Sequence, residues 1–247
     1  MIMTRIFALL LALWALPAAA LDLSEMSADE RAAFGDAVRA YLLENPQVIF
    51  EAAAIYEQQQ EERARQADLA LVADNKAALF EDTRSWVGGN PEGDVTLVEF
   101  LDYKCGFCKR AHGEIAQLLE ADGNIRLIVK EFPILGPESV LAARYALAVK
   151  NVAGDAAYKA VGDALMTLNG AIAAPVLQRM SNTLGLDWTA IEAEMGSEAV
   201  TQQIRDTRAL AQRLNITGTP TFVLDDEMLR GFLPADQMAA LVAGKRD

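Results

Sequence analysis

Hydrophobic and polar positions follow three different patterns along this 247-residue chain. Ile6 to Leu16 is an unbroken apolar run, preceded by Arg5 and followed by Pro17, Ala18, Ala19 and Ala20. A positive start, a short apolar stretch and small residues in that order make a secretory signal peptide, with cleavage expected after Ala20. The run holds 11 residues, well short of the roughly 20 that a membrane-spanning helix needs.

From residue 22 to 83 the pattern is helical. Ser27 and Glu30 form a capping box, in which each side chain satisfies a backbone donor at a helix start. Phe34, Val38, Tyr41 and Leu42 then share one face. Asn45-Pro46 interrupts this helix, because a residue before proline avoids the α region while proline itself suits a first helical turn. A second helix is expected from Pro46 to about Thr83. Its stretch from Glu57 to Gln66 is almost wholly polar and offers no face to bury, as in a solvent-crossing arm or one strand of an oligomer.

Ser85 to Asp94 carries Gly88, Gly89, Asn90, Pro91 and Gly93, and marks a domain boundary. The period then changes. Val95 to Tyr103 is too apolar for a half-exposed strand and reads as a central buried one. A helix of about 16 residues follows, then a second strand over Ile125 to Phe132. Strand, helix and strand at this spacing form a βαβ unit with parallel pairing. Pro137 to Leu214 is helical, with breaks near 151–154, Asn169-Gly170, Gly185 and Gly196. Pro220 to Leu224 and Met228 to Phe232 are two further strands joined by a tight turn at Asp225-Asp226. A closing helix runs from Pro234 to Ala243. The expected fold is α/β, with a signal peptide over 1–20, a helical arm over 21–84, and a catalytic domain over 85–247. A helical block inserted at about 137–196 divides the sheet-forming halves.

Charge adds an exclusion. A net charge of −13 argues against nucleic acid, which rewards clustered lysine and arginine. Cysteine usage adds more. There are two cysteines, Cys105 and Cys108, placed where the strand gives way to the helix. A bridge closing so short a loop removes little chain entropy and stabilises little. A helix N-terminus, by contrast, stabilises a thiolate through its free N–H groups and macrodipole, and Lys104 adds a cation. Cys105 at the helix tip is then the exposed nucleophile, and Cys108, one turn in, resolves the mixed disulfide. Three other roles stand beside this one. The pair could be a structural disulfide, or join His112 in a soft-metal site, or belong to a cysteine hydrolase with His112 as base.

Val98-Glu99-Phe100 ahead of Cys105-Gly106-Phe107-Cys108, and Thr217-Gly218-Thr219-Pro220-Thr221-Phe222 downstream, resemble the DsbA-type branch of the thioredoxin superfamily. Lys130-Glu131-Phe132-Pro133-Ile134-Leu135-Gly136-Pro137-Glu138-Ser139 resembles exported members with N-terminal helical extensions, including ScsC-like proteins. The resemblance implies a thioredoxin-like fold and protein disulfide exchange. It implies that Pro220 is the cis-proline facing the cysteines, and that Thr219 pairs with a substrate strand alongside Gly106 and Phe107. Glu99 would be the buried carboxylate that relays the Cys108 proton, with Asp102 a weaker candidate. Strand alternation turns Glu99 away from the face of Val98 and Phe100, so it would otherwise be a surface residue.

The Gly106-Phe107 pair departs from the Pro-His of the best-known oxidases, which leaves the direction of electron flow open between oxidase and isomerase or reductase. The resemblance further implies a periplasmic location, cysteine-containing exported proteins as substrates, a membrane redox partner, and homo-oligomers built through residues 22–83. No cofactor beyond the Cys105–Cys108 disulfide is required, and no metal. A periplasmic chaperone or scaffold, or a copper-binding protein with incidental cysteines, is the alternative. In the inserted block, Met166, Leu168, Ile172 and Leu177 read as its own core.

Overall fold

A computed structural model describes residues 26–246; the expected signal peptide lies outside them. The described chain forms two compact units, dividing between Gln60 and Glu61.

Residues 28–80 are helical almost throughout, and the first unit ends within the second of these helices. α1 (Ala28–Glu44) starts on the expected capping box, with the Glu30 N–H donating to Ser27 Oγ and the Ser27 N–H to Glu30 Oε2 at 2.9 Å. It ends where Asn45 Nδ2 donates back to the Tyr41 carbonyl. α1 buries none of its residues. α2 (Gln47–Asp74) begins after Pro46 and is exposed through its polar middle. The helix does not continue to Thr83. Asn75 breaks it by donating its side-chain amide to the Leu71 carbonyl at 2.9 Å, taking an acceptor the helix would otherwise use. A five-residue α3 (Lys76–Phe80) then carries Leu79 into full burial.

The second unit holds a five-stranded sheet in the order β1-β3-β2-β4-β5. β2 (Val95–Leu101) and β3 (Ile125–Glu131) are parallel, joined by α4 (Gly106–Ala121). β4 (Thr221–Leu224) and β5 (Glu227–Arg230) follow antiparallel on one side, around the expected Asp225-Asp226 turn. The remaining strand, β1 (Trp86–Gly89), falls inside the stretch expected to be only a breaker. It pairs antiparallel with β3, and Trp86 stacks on Tyr158 with ring centroids 5.6 Å apart. Gly89 sits at φ 64, and a Cβ there would lie 2.3 Å from the Ile125 carbonyl, so a glycine is needed for the strand to turn away.

Between the sheet halves lie α5 (Pro137–Ala153), α6 (Asp155–Thr167), α7 (Ala174–Thr183), α8 (Trp188–Met195) and α9 (Glu198–Arg213). Their breaks fall at the expected glycine and asparagine sites. α10 (Ala235–Gly244) closes the chain. Met166, Ile172 and Leu177 are buried in the same core as the sheet, and Leu168 packs against it.

Both faces of the sheet are covered. Leu97, Leu101, Leu127 and Val129 meet α4, α6 and α10. Val98, Phe100 and Ile128 meet Val72, Leu79 and Leu210 on the opposite face. A strand buried on both sides carries an almost continuous apolar run, which is the pattern of Val95 to Leu101.

Candidate active site

The sequence puts the two cysteines where β2 ends and α4 begins, and the fold makes that junction the chemical centre. Cys105 is the N-cap of α4, and its Sγ accepts the Cys108 N–H at 3.4 Å. A sulfur at this position receives both an orphan backbone donor and the positive end of the helix dipole. Cys105 Sγ also donates to the Thr219 carbonyl at 3.1 Å. The Thr219–Pro220 peptide bond is cis, as the resemblance implied. Both cysteines are free thiols.

Cys105 is less open than expected. It is 7% exposed, against 0% for Cys108, because the Thr219 loop covers it. Burial, with Glu99's charge as a smaller contribution, pushes the Cys108 thiol well above the ordinary thiol range. Phe107 is 54% exposed beside the cysteines, with the Arg110 guanidinium 4.3 Å above its ring and also over Phe232. Gly106 faces open space, and a Cβ there would touch nothing.

Asp102 organises the turn. Its carbonyl accepts the Cys105 N–H, Oδ1 accepts the Lys104 N–H, and Oδ2 accepts the N–H groups of Ile134 and Leu135. Lys104 reaches Glu138 at 2.9 Å, so its charge is shared. His112 lies 3.0 Å from Asp163, and among the described residues no group of three histidine, cysteine or carboxylate side chains could hold a metal ion.

Glu99 does not lie on the surface. The face opposite Val98 and Phe100 is as well covered as theirs, and Glu99 is 4% exposed with Oε1 lacking any partner. Burial and then the charge of Glu131 push Glu99 up to about 8.

Glu131 escaped attention in the sequence, as did Tyr103 and Tyr158. Glu131 Oε1 accepts from the Tyr103 hydroxyl at 2.7 Å and from the Tyr158 hydroxyl at 2.6 Å, while Oε2 is buried without a partner. Burial raises Glu131 to about 8 against the pull of the two tyrosines, and the Asp102 charge adds to the rise. The available signal was two consecutive charges, Lys130-Glu131, directly after the apolar run Leu127-Ile128-Val129 of the same strand. A cavity of about 120 Å³ lies beside this cluster, lined by Glu99, Tyr103, Tyr158, Ile115, Met166 and His112 among others.

Comparison with known proteins agrees with this geometry. Residues 96–243 match the DSBA-like thioredoxin domain, and residues 30–63 match the copper resistance protein ScsC N-terminal domain. A thioredoxin-like oxidoreductase from Silicibacter pomeroyi is 41% identical, covering 70% of this chain and 98% of its own, with a TM-score of 0.66. The thiol-disulfide exchange protein alpha-DsbA2 of Wolbachia pipientis is 27% identical, covering 73% and 96%, with a TM-score of 0.68. A curated relative, the Na(+)/H(+) antiporter NhaA 1 of Mycobacterium, is 29% identical over 66% of this chain, which spans only 27% of that protein's length. The match over more than half of its residues, at a domain that carries a free cysteine pair on a helix tip, makes this chain a member of the DsbA-like thioredoxin family.

Proposed function

We propose that the protein is exported to the periplasm and exchanges disulfides with cysteine-containing exported proteins through Cys105 and Cys108. The observation that carries this is Cys105 Sγ, which caps α4 and meets the carbonyl next to the cis-proline at 3.1 Å. In the reading supported by that geometry, Cys105 forms the mixed disulfide with substrate and Cys108 resolves it. The substrate runs as an extended strand past Thr219 and Pro220, with Gly106 leaving room and Phe107 giving apolar contact. Glu99, buried on the sheet face under α4, exchanges a proton with Cys108, because a carboxyl raised by burial holds a proton near neutral pH. The redox-active disulfide carries two electrons without a further cofactor.

Residues 26–60 supply a second element. Phe34, Tyr41, Ile49, Phe50, Ile55 and Tyr56 are exposed, Phe50 by 75%. Apolar surface of this extent on helices supports self-association through the arm, in line with the match to the ScsC N-terminal domain. No described helix is long and apolar enough to cross a membrane. A separate membrane protein would act as the redox partner.

Replacing Cys105 with serine should abolish insulin reduction by the full chain. Retained activity would overturn the assignment. Equilibration with glutathione sets the direction. A potential near about −120 mV marks a disulfide-introducing oxidase, and about −200 mV or lower an isomerase or reductase.

A further inference from the structure

Glu99 and Glu131 occupy one face of the sheet. β2 and β3 are parallel with Glu99 opposite Val129 and Leu101 opposite Glu131, so the two carboxyls are diagonal neighbours. Both are almost wholly buried, and among the described residues no lysine or arginine bonds to either. The cations nearby are committed elsewhere. Lys130 turns to the other face and meets Asp82, Lys104 meets Glu138, and Lys159 meets Asp163. Two like charges in a dry site oppose each other, so the first to form raises the second and the pair titrates as a unit.

The tyrosines break the symmetry. Tyr103 from the turn after β2 and Tyr158 from α6 both donate to Glu131, and donors favour the charged form of an acceptor. Their own hydroxyls are held well above the ordinary tyrosine range, first by burial and then by the Glu131 charge, so they remain donors. Glu99 Oε1 has no donor. The other titratable groups around the pair are Asp102 in the turn after β2, Cys108 and His112 on α4, and Lys159 and Asp163 on α6.

We infer that Glu131, held by Tyr103 and Tyr158, is a positioning residue that takes the first charge of a two-carboxyl pair and so keeps the exchangeable proton on Glu99. This rests on the redox role proposed for Cys105 and Cys108. When a substrate thiolate attacks Cys105 in the disulfide, the Cys105–Cys108 bond breaks and a Cys105–substrate bond forms. The electron pair leaves with Cys108 sulfur, which takes the proton from Glu99. In the reverse step, ionised Glu99 takes the Cys108 proton, and the Cys108 thiolate displaces the substrate thiolate. The charge on Glu131 strengthens Glu99 as the base in that second step.

The test is a pH series on the reduced full-length protein with the chromogenic disulfide dithiobis(nitrobenzoate). Cys105 releases one coloured thiolate on forming its mixed disulfide, and Cys108 releases the second on resolving it. The rate of the second release rises as Glu99 ionises. Glu131→Gln, which still accepts from both tyrosines, should move that midpoint about one pH unit to the acid side. Tyr158→Phe removes one donor and should move it the same way by less, which decides the matter if Glu131→Gln does not fold. Glu99→Gln should abolish the midpoint. Midpoints unchanged in Glu131→Gln, or in Tyr158→Phe where that variant decides, would overturn the inference while leaving the redox reading intact. Failure of the wild-type protein to release a second thiolate would sink the redox reading itself.

Discussion

Lys130 and Glu131 are consecutive on β3, both buried, yet the two faces of the sheet treat their charges in opposite ways. On the Lys130 face, Nζ reaches Asp82 at 2.8 Å and the Ala78 carbonyl at 2.9 Å. Burial there works against the Asp82 charge, but the bond from Lys130, the Arg84 N–H and the Ser85 hydroxyl outweigh it and hold Asp82 down to about 2. Burial still draws Lys130 below the ordinary lysine range, so the lysine end of the pair is not fully compensated. On the Glu131 face no cation arrives, and both carboxyls rise to about 8. A paired charge anchors α3 and the turn after it to the sheet. An unpaired one is held in its neutral form by burial, as the proposed proton exchange with Cys108 requires. The lesson is that burial alone does not mark a chemical group; the absence of a counter-charge does.

The contrast can be broken most forcefully at Lys130. Lys130→Met leaves Asp82 facing an apolar neighbour and should cost about 3 kcal/mol of stability, read by urea denaturation. A loss below about 1 kcal/mol would show that the pair contributes little beyond packing.

A second effect of similar sign is the response to acid. A carboxylate with a lowered folded value stabilises the protein above its unfolded value and loses that contribution as pH falls through the folded one. Asp82 should therefore withdraw on the order of 2 kcal/mol between about pH 4 and pH 2. Asp82→Asn should flatten the stability curve in that window.

The other face should behave inversely. Glu99 and Glu131 have raised folded values, so the unfolded chain releases their protons first and stability falls as pH rises from about 4.5 to about 8. Glu99→Gln should remove part of that decline and be more stable than wild type at pH 8, by on the order of 2 kcal/mol. Equal stability at both ends of the window would mean that Glu99 is not held neutral by its surroundings. The smallest effect belongs to His112 and Asp163, a half-exposed pair at 3.0 Å beside the same cavity. Asp163→Asn should change thermal stability by less than about 0.5 kcal/mol, because exposed pairs are screened by water.

Much of this molecule was legible in its residues. The period change after residue 94, the cysteines at a strand-to-helix junction, and Thr219-Pro220 point to the fold and to the sulfur chemistry. The same residues were misleading where a pattern needed a partner to interpret it. Trp86–Gly89 reads as a breaker because glycines weaken a strand, and only the edge offered by β3 and the stacking of Trp86 on Tyr158 make it one. The long helix after Pro46 stops at Asn75 because Leu79 has a core to enter.

The chain by itself determined the elements from Val95 onward, the sulfur pair and its place at a helix tip, since these depend on local period and on backbone groups within a few residues. Only the tertiary structure decided which carboxyls matter. Glu99 is exposed or buried according to whether helices cover its face, and Glu131 is charged or neutral according to tyrosines 28 and 27 residues away. Desolvation and hydrogen bonding act through space, so no spacing along the sequence encodes them.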